Sequence, residues 1–230
     1  MGNDSIFKKR QEERKKRKEN VIKQKSSTWL IVCEGKQTEP NYFKGAVDEI
    51  NKKIEKQYKL KVKIVGKGMN TVSLVKSTEN MQNEIDEYQT STIPYSKIFV
   101  VFDKDSFSAQ AFNKAVEMCN KNGYIPLWSN QAIEFWFLLH FNLIESKIDR
   151  KTYESKINDY FKKAGLIYRY KKNDQEIYQK LCKYGSLENA MKYAKHIHSI
   201  HYKDTPASSE SCTTVYEFFE AINERLNELK

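Results

Sequence analysis

From residue 29 onward the chain switches between two hydrophobic periods. Residues 29–33, WLIVC, form a nearly unbroken apolar run, and the charged turn EGKQT separates them from Pro40. Proline suits a helix's first turn, where a missing N–H costs nothing, so a helix is expected from about residue 40. Residues 61–65, KVKIV, alternate as a half-buried strand does, and GKGMN ends them with turn residues. A helix is expected over 72–88, where Val72, Val75, Ile85 and Tyr88 recur among polar residues, and IPYS breaks it. Residues 97–103, KIFVVFD, are the clearest strand, continuous in the way of parallel sheets covered on both faces. A helix over 109–122, a stop at Gly123 and a short strand at 124–128 complete a β-α-β-α-β-α-β order. That order predicts a mainly parallel α/β sheet with right-handed crossovers.

From Gln131 the pattern becomes helical. AIEFWFLLHFNLI is too apolar for a surface helix and is expected to pack deep against the sheet. Further helices are expected at 151–163, 174–182, 186–201 and 214–229, with DTPASSES as a loop. The division is a basic arm at 1–25, an α/β core at 26–130, and a helical extension at 131–230 packed on that core.

Charge sharpens the picture of the arm. Residues 1–25 hold ten Lys and Arg against four Asp and Glu, six of the formal +10 of the whole chain. Such a segment reads as a phosphate-neutralising arm or as a solvated tail. With 39% hydrophobic residues in 230, the chain can bury one sizeable core. No apolar run approaches the roughly 20 residues that span a bilayer, and the charged N-terminus lacks a signal-peptide pattern, so a cytoplasmic, non-membrane protein is expected. Cys33, Cys119, Cys182 and Cys212 are scattered, without a C-x-x-C pair, and read as reduced thiols.

The candidate chemistry lies at strand ends. In open parallel sheets ligands gather beyond the strands' carboxyl ends, where Glu34 and the FDKD acids Asp103 and Asp105 fall. If the strand persists, Asp103 and Asp105 share a side, and two such carboxylates repel unless a cation lies between them. A hard divalent ion is the natural counter-charge. The alternative is that Glu34 and the Asp pair cap their own turns.

The blocks IVCEGKQTEPNYF, VVFDKD and SNQAIEFWFLLHF together resemble the RloB-like family, also called AbiLii-like, whose core is similar to the TOPRIM fold. TOPRIM domains carry a glutamate after their first strand and an Asp-x-Asp after a later one, matched here by Glu34, Asp103 and Asp105. The resemblance covers roughly residues 28–230 and implies a TOPRIM-like, Rossmann-like sheet flanked by helices. It further implies Mg²⁺- or Mn²⁺-dependent cleavage of phosphodiester bonds in DNA or RNA, tRNA included. Asp103 and Asp105 are then metal ligands, with Glu34 as general base or further ligand. A role in anti-phage defence beside an ABC or SMC-like AAA ATPase is implied by the resemblance alone. The chain has no Walker A motif, so ATP sensing falls to such a partner. The rival reading is a non-catalytic module that binds nucleic acid or the ATPase and uses the acids for a structural metal.

Other residues carry two readings each. Glu134, in an apolar helix, is a metal ligand or a carboxylate paired within the core. Asn130 caps that helix or orients a ligand. Glu39 favours the helix N-terminus before Pro40, with metal contact as its lesser role. Lys36 and the GKQT amides can meet a phosphate, and GKG at 66–68 reads chiefly as a turn. YRYKK, at 168–172, interleaves aromatics with cations, as in strand-binding loops, or is a solvated basic loop. Lys171 is the substrate contact that the family pattern suggests there. His196, His198 and His201 lack a zinc motif and read as ordinary helix residues.

Overall fold

The computed structural model describes residues 12–14, 28–88 and 95–229. The basic arm, apart from 12–14, therefore lies outside the described residues, as does the first half of IPYS.

Four strands form one sheet in the order β2-β1-β3-β4: β1 (Thr28–Cys33), β2 (Lys61–Gly66), β3 (Lys97–Asp103) and β4 (Ile125–Ser129). Every pairing is parallel. Position in the sheet accounts for each strand's pattern. Central β1 and β3 are buried almost throughout, whereas edge strand β2 alternates and leaves Lys61 and Lys63 exposed. The other edge is partly closed by Thr213, which bridges antiparallel to Ser129.

The crossover helices are α1 (Thr38–Lys52), α2 (Thr71–Tyr88) and α3 (Ala109–Lys121). Ser108 caps α3 by accepting the Ala111 N–H at 3.2 Å, and Gly123 ends the segment at φ 71°, where a side chain is disfavoured. The extension adds α4 (Glu134–Leu139), α5 (Tyr153–Lys163), α6 (Ile177–Tyr184), α7 (Leu187–Ile200) and α8 (Tyr216–Asn227). No helix among the described residues is long and apolar enough to cross a membrane.

Apolar faces of sheet and extension meet in one core. Trp29 of β1 and Phe99 of β3 pack at 5.3 Å between centroids, and Phe218 of α8 sits against Phe99 at 5.4 Å and Phe43 of α1 at 5.0 Å. Deeper in the extension the Trp136 indole donates to the Tyr42 hydroxyl at 2.7 Å, which satisfies a buried donor. Residues 132–140 are buried as their composition requires, 141–144 less so with Asn142 exposed, and α4 spans only Glu134–Leu139. Its continuation is intercepted: the His140 carbonyl accepts the Ser186 N–H at 2.8 Å instead of a helical donor. The result is a Rossmann-like, TOPRIM-like α/β sheet whose carboxyl end is roofed by the start of the extension.

Candidate functional site

Strand order decides which acids meet. Because β1 and β3 are neighbours, the residues that leave them are neighbours too. The Glu34 N–H still donates to Val101 O at 2.9 Å, and its carbonyl accepts the Gly68 N–H at 2.7 Å. The ladder therefore fixes its backbone. Its carboxylate Oε2 accepts the Asp103 N–H at 3.3 Å, and Asp103 Oδ2 accepts the Ile133 N–H at 3.1 Å. One chain of bonds thus links the end of β1, the end of β3 and the start of α4.

Asp105 reaches the same place by a different route from the one alternation suggests. The strand stops at Asp103. Lys104 N–H then donates to Ser129 O at 2.9 Å and Asp105 N–H to Gln131 O at 3.1 Å, and Asp105 adopts a left-handed φ of 37°. The D-x-D is therefore a turn gripped by the end of β4, and Asp105 forms an ion pair with Arg150.

These side chains share a cavity of about 420 Å³ lined by the 34–39 turn, Asp103, Asp105, residues 132–134, Arg150 and Lys172. Glu39 is buried in the first turn of α1 and accepts the Gly35 N–H at 3.1 Å through Oε1. The helix-end role expected of it is filled, and it also faces the acids. Glu134, also buried, accepts the Tyr170 O–H at 3.0 Å and has Lys172 Nζ at 3.8 Å.

The electrostatics follow from crowding. Burial, with the Glu39 charge adding to it, pushes the Glu34 carboxyl from 4.5 to about 7 against the opposing hydrogen bond from Asp103 N–H. Burial, then the charges of Glu39, Glu134 and Glu34, holds Asp103 well above the usual carboxylate range. Burial, with Glu134 adding, also raises Glu39. Mutually raised carboxyls mark a place where a cation would be welcomed. Among the described residues, no three or more His, Cys, Asp and Glu side chains are grouped so that they could hold a metal ion as they stand. The donor set still fits a hard divalent cation in kind, since it consists of oxygens on several separate elements.

Other sequence candidates fall on both sides of the cavity wall. Lys36 lines it, with its aliphatic stem lying over Gly68, whose φ of 64° and missing Cβ leave room. Asn130 does not line it and does not cap α4. Its side-chain amide donates to Pro206 O at 3.3 Å and Ala207 O at 3.1 Å, which fastens the 204–211 loop. Lys171 does not line it, and Lys172 does. In YRYKK both tyrosines turn inward, Tyr168 to Asp174 and Tyr170 to Glu134. They are engaged there rather than available for stacking, and Arg169 and Lys171 face solvent. The 66–68 turn packs so tightly that a Cβ on Gly66 would lie 2.6 Å from Gly35 O. The histidines have separate partners: Glu145 at 2.9 Å from His196, Tyr216 at 2.8 Å from His198, and Asp204 at 2.6 Å from His201. All four cysteines are free thiols.

Three contributors were not anticipated. Arg150 and Gln131 carry no local signal, because only the tertiary fold brings them to the D-x-D turn. Lys172 has no better local signal, since it lies in a turn and is exposed like Lys171, so alternation from buried Tyr170 does not single it out.

Searches among curated proteins and among solved structures each returned no match. A family model described as RloB-like protein matches residues 29–222, a span that contains every cavity residue above. The chain belongs to the RloB-like family.

Proposed function

We propose that this chain is a divalent-metal-dependent nuclease that cleaves phosphodiester bonds in DNA or RNA, with tRNA among its candidate substrates. The observation that carries this reading is the convergence of Glu34, Glu39, Asp103, Asp105 and Glu134 with Lys36, Arg150 and Lys172 in one cavity at the carboxyl ends of β1 and β3. Acids in that number suit a cation, and the lysines and arginine suit the phosphate brought to it.

Glu34 and Asp103 would hold the ion, with Asp105 and Glu134 within the same cavity as further oxygen donors. A bound Mg²⁺ or Mn²⁺ supplies phosphoryl polarisation and a more acidic water. Where Glu34 instead serves as the base, its carboxyl, raised to about 7 in the metal-free site, is matched to accept a proton near neutral pH. The Ile133 N–H and the Tyr170 hydroxyl orient the Asp103 and Glu134 carboxylates, and Lys36 and Lys172 attract the phosphate by charge.

Membership in the RloB-like family supports a role in anti-phage defence, with an ABC or SMC-like AAA ATPase as the partner that governs cutting. The ion pair of Asp105 with Arg150 favours a second reading, a non-catalytic nucleic-acid- or ATPase-binding module, because it occupies one acid of the trio.

The test is cleavage of mixed DNA and of total RNA by the wild type and Asp103→Asn, with Mg²⁺, Mn²⁺ or EDTA. Metal-dependent cutting lost in the variant supports the nuclease and identifies its substrate. Cutting that survives in the variant, or in EDTA, removes the assignment. Absence of cutting with and without the ATPase favours the binding module.

A further inference from the structure

Asp105 is the exposed acid of the cavity, and its charge is already taken by Arg150. The two arrive from segments 45 positions apart through a single residue. Gln131 accepts the Asp105 N–H through its backbone oxygen at 3.1 Å and the Arg150 N–H through Oε1, also at 3.1 Å. Gln131 itself adopts a φ of 101°, a backbone conformation that L side chains rarely adopt. Both backbones are thereby pinned at the cavity mouth, whereas both side chains keep solvent access, 37% for Arg150 and 44% for Asp105. An ion pair this exposed contributes little to stability and exchanges partners readily.

Charge gives the exchange a direction. Five carboxylates line the cavity against three cations, and one of those, Lys172, faces Glu134 at 3.8 Å. A phosphodiester approaching this wall gains most from a guanidinium, whose planar fork matches two phosphate oxygens where an ammonium offers only a point charge. We propose that Arg150 is the residue that grips the substrate phosphodiester, and that Asp105 holds its guanidinium in place until a substrate phosphate displaces it. The phosphate as ligand rests on the nuclease reading; the exchange itself does not require cutting. The contact is to backbone phosphate, so it is independent of base sequence.

Binding of labelled single-stranded DNA and RNA oligonucleotides is measured by anisotropy in EDTA across a salt series. The full chain is compared with Asp105→Asn, Arg150→Ala, Arg150→Lys and the Asp105→Asn/Arg150→Ala double variant. Asparagine is tolerated at left-handed φ, so the first variant keeps the turn. Arg150→Lys keeps the charge and serves as the folded control. Releasing Arg150 with Asp105→Asn is expected to tighten binding several-fold. Arg150→Ala is expected to weaken it several-fold and to flatten the log–log salt slope by about 0.7, one phosphate contact on a single strand. The double variant should match Arg150→Ala, and Arg150→Lys should keep the slope with reduced affinity. Unchanged affinity and slope in Asp105→Asn and Arg150→Ala overturn the proposal, as does failure of every form to bind either probe. Metal-dependent cutting with an unchanged Arg150→Ala slope leaves the nuclease standing without this contact. An Arg150-dependent slope in a chain that never cuts leaves this contact standing without the nuclease.

Discussion

The carboxylate of Glu34, at the end of β1, accepts the backbone N–H of Asp103, at the end of the neighbouring β3, at 3.3 Å. The first acid of the site is thus aimed by the main chain of the second. Asp103→Asn leaves that N–H in place and relieves repulsion, so the fold should persist with equal or higher thermal stability. Cleavage should nonetheless fall by about 10²-fold or more, because a charged oxygen donor is lost. Glu34→Asp is shorter by one methylene and cannot keep the Asp103 bond in the same pose. A displacement of this size costs on the order of 10²-fold in turnover. Circular dichroism, melting curves and cleavage rates on the same preparations check both, and near-wild-type turnover in Glu34→Asp would show that the bond does not position the glutamate.

Two glycines separate packing from chemistry. A Cβ on Gly66 would sit 2.6 Å from Gly35 O and 2.8 Å from Lys36 Cα, both backbone atoms. Gly66→Ala should therefore cost about 1–3 kcal/mol in urea unfolding and disturb the turn. A Cβ on Gly35 would instead meet Glu39 Oε2 at 2.2 Å, the end of a side chain. Gly35→Ala should cost less stability than Gly66→Ala, since a side-chain end and not backbone must move, while it displaces Glu39 and weakens divalent-metal binding. Equal stability losses in the two variants would contradict this division.

Asn130, Lys171 and Lys172 can be told apart in one experiment. Asn130→Ala leaves the Pro206 and Ala207 carbonyls without their donor, which should cost about 1–3 kcal/mol of stability with little change in substrate affinity. Lys172→Ala removes a cation from the cavity wall and should weaken nucleic-acid binding, whereas Lys171→Ala, facing solvent, should matter less. Calorimetric melts and salt-dependent binding on the three variants give the answer. A larger affinity loss at Lys171 than at Lys172 would reverse the assignment.

What the sequence could and could not reveal follows from the range of the interactions. All four strands and their parallel direction, though not their order across the sheet, were legible because a buried strand imposes an apolar run and a crossover imposes an intervening helix. Strand ends shifted by at most about a residue, as at β4, where pairing to β3 fixes the limit. Glu34 and Asp103 stood out because strand ends in such sheets are functional places by topology. Asp105 was found for a reason that does not hold, since a turn and not continued alternation carries it to the cavity. The length of α4 was not legible, because the donor that ends it, Ser186 N–H, is 46 positions away. Arg150 is hidden for the same reason: nothing near it in sequence announces a partner delivered by Gln131.

The raised carboxyls contribute to the metal-free protein's stability a pH dependence of definite sign. Below pH 4.5 Glu34 is neutral in both folded and unfolded chains, so it contributes no pH dependence there. Between 4.5 and about 7 the unfolded chain sheds this proton while the folded chain retains it, and stability falls as pH rises. Asp103 and Glu39 are raised too and act in the same direction. Burial holds the His140 imidazole down at about 3, which acts in the opposite direction as pH rises toward 6.5. The carboxyl contribution is therefore read as a difference: the melting temperature of the wild type minus that of Glu34→Gln, in EDTA, should fall as pH rises from 4.5 to about 7. Mg²⁺ or Mn²⁺ competes with the same protons for the same oxygens, so its addition should raise the melting temperature more at pH 7.5 than at pH 5. Melting curves with and without metal across that range, on wild type and Glu34→Gln, decide it. A metal-induced shift that is equal at both pH values would mean the cation is held elsewhere than among these acids.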